Sequence, residues 1–316
     1  MVPHFRGPTV RFVIAILFIL FSSPAFAADT PAERCDALAG HPFEPGHNGV
    51  GVETEAINAP AAVEACVAAL NQTPDDPATR YRLARALIRL GSCDDGIAML
   101  TAVAEAGYPA AEGTLGANYL NQVCGLPRDV EVAFKWSSRA AFHGNAVGQS
   151  NLGYLYHCGC VERRNDAEAA KWYRAAAEQG YSKGILNYAG VLERGEGVPR
   201  DLDEAKRLYR EAAALGEGAA AAQLGHVLLY PETGSASLDD ITDAVAMLDK
   251  AVAEGSIHAL IVLGRWQDEN GNFERAAELW GSCFRSPYGV CSYELGTMAE
   301  RGHGQPADPV KALGFY

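Results

Sequence analysis

One dipeptide recurs along this chain at intervals too regular for a single irregular core. Leu115-Gly116, Leu152-Gly153, Leu224-Gly225, Leu263-Gly264 and Leu295-Gly296 share it, with Leu83-Ala84 and Tyr188-Ala189 as degenerate copies. Successive copies begin 32, 37, 36, 36, 39 and 32 residues apart. A period in the mid-thirties marks stacked helix pairs, because one pair cannot bury its apolar face without neighbours. The expected fold is all-α: a right-handed superhelical solenoid of antiparallel helix pairs.

Within each copy the first helix carries L-G-x-x-[YL], as in Leu152, Gly153 and Tyr156. The second carries A-x-x-x-[YLW]-x-x-A, as in Ala169, Tyr173, Ala176 and Ala205, Tyr209, Ala212. Offsets of three and four place these residues on one helical face. Glycine and alanine let neighbouring helices approach, and the aromatic fills the gap between repeats. Gly107, Gly144, Gly180 and Gly255 suit left-handed helix C-caps.

The phrase Arg194-Gly-Glu-Gly-Val-Pro-Arg-Asp201, followed by Glu204-Ala205 and Tyr209, resembles the Sel-one-like repeat. That family is a tetratricopeptide relative with a longer, glycine-rich turn between its helices. Arg301-Gly-His-Gly-Gln-Pro306 and residues 121–129 are similar turns. The Leu83 and Leu263 copies have short turns instead. The Leu224 copy carries an insertion around residues 230–243, expected to protrude as a loop. The resemblance spans roughly residues 75–316, as six to seven repeats, and the last stops within its second helix. It implies a scaffold or regulator acting by protein–protein interaction.

The amino terminus bears on compartment. His4, Arg6 and Arg11 precede an unbroken apolar run from Phe12 to Phe21, and Ala25-Phe26-Ala27 follows. This is the pattern of a secretory signal cleaved after Ala27, and the run is shorter than the ~20 residues that span a bilayer. The mature chain beginning at Ala28 is therefore expected to be periplasmic or secreted, without stable membrane insertion. Its charge follows from 26 − 2 = 24 basic against 39 acidic residues, or −15. That balance argues against general nucleic-acid binding, which needs a basic footprint.

Export favours disulfides among the eight cysteines. Residues 28–74 read as a mostly irregular leader, up to about residue 58, and a capping helix from Pro60 to Leu70. A Cys35–Cys66 bridge would pin the leader and seal the solenoid end. Cys283 and Cys291, eight residues apart, match a spacing that exported cysteine-rich members of the resembling family bridge. Cys93, Cys124, Cys158 and Cys160 fall in turns, and their three possible pairings are equivalent in the sequence. The alternative is a soft-metal site at His157, Cys158 and Cys160; disulfides are the reading adopted, with no metal and no cofactor.

No H-E-x-x-H, G-x-S-x-G or phosphate-binding loop occurs. No lysine of the chain has a serine three residues before it. The expectation is a non-enzymatic protein, a cell-wall hydrolase or penicillin-binding activity being the alternative and a secreted host-protein-binding factor another. Resemblance to the tetratricopeptide fold places positions two, five and six after each repeat leucine on a concave groove. Arg85, Arg89, Asn121, Tyr154, His157, Arg194, Tyr230 and Arg265 are the candidate contacts for a protein or peptide partner.

Overall fold

In the computed structural model the described residues are 30–47, 51–161, 163–284 and 289–316. Residues 1–27, expected to be a signal segment, lie outside them. Helix α1 (Pro31–Ala39) and helix α2 (Ala59–Leu70) precede seven helix pairs. The first three are α3 (Pro77–Leu90) with α4 (Cys93–Glu105), α5 (Pro109–Leu120) with α6 (Val130–Phe142), and α7 (Ala146–Cys158) with α8 (Asp166–Ala177). Next come α9 (Ser182–Arg194) with α10 (Leu202–Ala214), and α11 (Gly218–Leu229) with α12 (Leu238–Ala253). The series continues with α13 (Ile257–Glu269) and α14 (Phe273–Ser282), then α15 (Val290–Arg301) and the short α16 (Pro309–Leu313). The described residues contain no strand.

Local chemistry sets these boundaries. Asp129, Asn165, Asp201 and Asp308 each accept a backbone N–H of the first turn of a second helix, satisfying a donor that has no helical partner. Gly107, Gly144, Gly180 and Gly255 all have φ between +78° and +91°, as expected of left-handed turns that end a helix. The repeat glycine has a different purpose. A Cβ on Gly153 would lie 2.7 Å from the Tyr173 ring, and one on Gly264 would collide with the Trp280 indole. In these two pairs the large residue of the second helix packs on the glycine of its own pair, and Tyr173 also shares a cluster with Val191 and Tyr188 of the next repeat.

Each first helix packs on its own partner and on the second helix of the preceding pair. First helices also touch one another directly, α5 with α7, α7 with α9 and α11 with α13. Second helices lack equivalent mutual packing. Tighter spacing on one side of the stack curves it, so the first helices form the inner, concave layer.

Two expectations need correction. Residues 30–40 are not irregular: Thr30 and Glu33 form a reciprocal capping box that starts α1. The residues carrying that signal, Thr30-Pro-Ala-Glu33, are plain in the sequence. The insertion near Tyr230 is also smaller than expected. Ser237 caps a 16-residue α12 through the Asp240 N–H, so most of the extra length extends that helix.

Four cysteine pairs are joined: Cys35–Cys66, Cys93–Cys124, Cys158–Cys160 and Cys283–Cys291. The first couples α1 to α2, with both sulfur-bearing residues fully buried. Closing a loop of that length contributes about 3–4 kcal/mol in the chain-entropy picture. Peptide mapping of exported protein without reduction should return these four pairs. Free thiols at Cys35, Cys66, Cys283 and Cys291 would refute the stapled arrangement.

Candidate functional site

The concave layer is not empty at its amino-terminal end. After α1 the chain passes over the first helices in successive turns, closed by the Glu44 N–H on the His41 carbonyl and the His47 N–H on the Glu44 carbonyl. Its residues 41–47 pass the N-terminal ends of α5, α7 and α9, where Tyr108, Asn145 and Tyr181 are the N-cap residues. The Phe43 ring meets Tyr181 edge-on with centroids 5.0 Å apart, and packs against the buried cluster of Ala146, Val147, Ala176 and Tyr181. Asn145 donates from Nδ2 to the Phe43 carbonyl at 3.1 Å.

Glu44 follows, its side chain fully buried. Its carboxylate accepts from Tyr108 Oη at 2.8 Å and from the His41 N–H at 3.1 Å. It also lies 2.9 Å from the Arg82 guanidinium. Burial and the neighbouring Glu44 charge together push the Tyr108 phenol far up from its ordinary range, so it stays a donor. Asp36, Glu44 and His47 bring three possible metal-ligand atoms together. Arg82 already lies 2.8 Å from Asp36 and 3.2 Å from His47, so a guanidinium supplies the positive charge there.

His41 is buried beside this segment. Its Nδ1 accepts the Phe43 N–H at 3.1 Å, which leaves the hydrogen on Nε2. Burial first, then the charge of Arg85, lowers its pKa from 6.5 to about 3. The unfolded chain takes up a proton below pH 6.5 that the folded chain refuses until about pH 3, so this contribution to stability falls as pH falls through that window. Denaturant midpoints at pH 5 and pH 7 should differ less in His41→Asn than in the unaltered chain; an unchanged difference would refute this.

The leader also explains the main departure from the expected groove. Arg85 was expected on an open surface, yet it is 1% exposed. It donates to the Ala39 carbonyl at 2.6 Å, the Val52 carbonyl at 2.7 Å and Thr54 Oγ1 at 3.2 Å. Arg89 remains exposed and donates to the Glu55 carbonyl at 3.3 Å. The position on the first helix is as expected; the chain's own leader covers it.

The other candidates spread along the remaining concave and turn surface. Arg194 is held by Glu196 at 2.6 Å, and Arg265 by Glu294 at 2.7 Å. Tyr230 donates to Glu269 at 2.7 Å and stacks near His226. Asn121 ends α5 and is exposed, as is Tyr154. His157 lies in the last turn of α7, 3.4 Å from Asp166 and 4.0 Å from Glu196. Cys158 and Cys160 are bonded to one another, which removes the thiolates a soft metal would need.

The turns themselves form a ladder. Arg164 reaches Glu196 at 2.6 Å and Arg200 reaches Glu232 at 2.5 Å, each 32 residues further on. Partial burial opposes ionisation of Glu196, but hydrogen bonds from Arg194 and Arg164 outweigh it and hold its carboxyl below the usual range. These pairs tie the α7–α8 turn to the α9–α10 turn, and that turn to the one between α11 and α12.

A family model described as the Sel1 repeat matches residues 111–145, 146–181, 182–217 and 290–316. The chain carries four Sel1 repeats. Three of the matched segments are α5–α6, α7–α8 and α9–α10, and the fourth is α15–α16. The unmatched pairs, α3–α4, α11–α12 and α13–α14, are those with short turns or the insertion, yet they continue the same helical stack. A Sel1 repeat protein from Oxalobacter formigenes is similar, with 25% identity and a TM-score of 0.62 over 74% of this chain and 96% of that one. A protective antigen of uropathogenic Escherichia coli with an SLR fold shares 22% identity, with a TM-score of 0.40 over 81% of this chain and 63% of that one. No curated protein matches the chain.

Proposed function

We propose that this Sel1 repeat protein is an exported, non-catalytic scaffold that captures a protein or peptide on the part of its concave face beyond the leader. The supporting observation is the leader itself. A turn-rich segment of the chain is held on the first helices by an aromatic in an apolar socket, a buried carboxylate and a side-chain amide on a backbone carbonyl. The same layer continues across α7–α13 with Tyr154 and His226 exposed and Tyr230 partly so. Tyrosine anchors are enriched where interfaces concentrate their binding energy. The four joined cysteine pairs favour an oxidising compartment, periplasmic or extracellular. No helix among the described residues is long and apolar enough to cross a membrane.

Arg194 and Arg265 serve this surface less directly than their sequence positions imply. Each is committed to an intramolecular carboxylate, and a partner would have to replace that pairing. Capture from an envelope extract by the full exported chain should lose its specific partners on combined Tyr154→Ala and His226→Ala substitution, with the melting temperature unchanged. Retention of the whole set of partners by the folded double variant would overturn the assignment of this stretch.

A further inference from the structure

Two arginines one helical turn apart on α3 have opposite electrostatic surroundings. Arg82 faces Asp36 at 2.8 Å and Glu44 at 2.9 Å, so its charge is compensated. Arg85 is almost completely buried, and all its recorded acceptors are neutral: two carbonyls and one hydroxyl. Its Nε has no hydrogen-bond partner. A buried cation without a counter-ion is costly, and proteins normally supply an anion to it.

Arg85 lines a cavity of about 170 Å³ between the leader and helices α3, α5, α7 and α9. Asn118 lines the same cavity, is 8% exposed and has an Nδ2 without a partner. Buried His41 and Tyr181 complete the floor, and exposed Glu53, Glu55, Asn121 and Lys183 form the rim. Glu53 is the nearest candidate counter-ion. Its ion pair is to His41, at 3.8 Å. The floor therefore offers positive charge and unsatisfied N–H groups, and leaves the compensating acid to be supplied.

We propose that this chamber binds a small carboxylate, with Arg85 as its buried counter-charge, Asn118 as a neutral donor and Lys183 at the entrance. The size admits a short organic acid or the carboxylate of one peptide residue. It excludes a folded domain. Glu53 and Glu55 at the rim disfavour polyanions and leave room for a positive group on the same ligand. The site stands apart from the open stretch around Tyr154 and His226, so either can exist without the other.

The test is calorimetric titration of the full exported chain with acetate, with glutarate, and with a short peptide bearing a C-terminal carboxylate or its amide, at matched ionic strength in chloride. Saturable binding of a carboxylate is expected, at least tenfold weaker in Ala117→Leu, which fills the chamber, and in Lys183→Glu. Binding of the free acids identifies a small-molecule source. Binding of the peptide acid but not its amide identifies a chain terminus. If Ala117→Leu does not fold, the exposed Lys183→Glu change carries the comparison. Absence of saturable carboxylate binding to the unaltered chain, or equal binding by the folded variants, would overturn the proposal. Partner capture by these variants is read separately: a chamber that fails while capture persists refutes this inference alone.

Discussion

Glu44→Ala should lower the unfolding free energy by about 3–5 kcal/mol, the range for removing one member of a buried ion pair. The substitution strips the Tyr108 hydroxyl and the His41 N–H of their acceptor and takes one of two carboxylates from Arg82. Because Phe43 is adjacent, the segment should also lose its grip on Ala146, Val147 and Tyr181. Chemical denaturation with the slope compared between variants is the measurement. Arg200→Ala is the control: its pair with Glu232 is exposed, and such pairs contribute about 0–1 kcal/mol. A loss below about 1 kcal/mol for Glu44→Ala would show that the leader is a loosely applied cover.

Trp280→Ala should be comparably damaging at the other end, by about 3–5 kcal/mol for a large aromatic removed from a core. Trp280 is 1% exposed and packs against Gly264 of its own pair. Contacts in a solenoid are confined to neighbouring repeats, so the loss should concentrate there. Hydrogen exchange should accelerate across α11–α15 while the disulfide-pinned α1–α4 region keeps its protection. Uniform acceleration along the chain would instead show that the stack unfolds as one unit.

The sequence made the repeat architecture legible because its residues contact their own neighbours. Leu152, Gly153, Tyr173 and Ala176 lie within one pair, so a fixed spacing carries the information. Helix ends were similarly local: Gly107 and Gly144 need only their own backbone geometry. The site was less legible. Arg85 occupies the expected first-helix position, but its burial depends on Ala39, Val52 and Thr54, more than 30 residues earlier. Asn145 meets the Phe43 carbonyl across 102 residues. No periodicity encodes such contacts. The short phrase His41-Pro-Phe-Glu44 contains the aromatic and acid, yet looks like loop sequence until the helices that receive it are in place. Cys93 and Cys124 show the same limit: their separation of 31 is one feature among several compatible pairings.

The Cys35–Cys66 connection has a consequence for competition. It holds the start of the leader beside α2, only eight residues before Phe43. A short tether of this kind presents its segment at an effective concentration on the order of millimolar. A separate peptide making the same contacts at micromolar concentration would therefore lose to the leader by about a thousandfold. A partner of the proposed concave surface would find its first berth already taken, and its contacts would fall to the repeats further along.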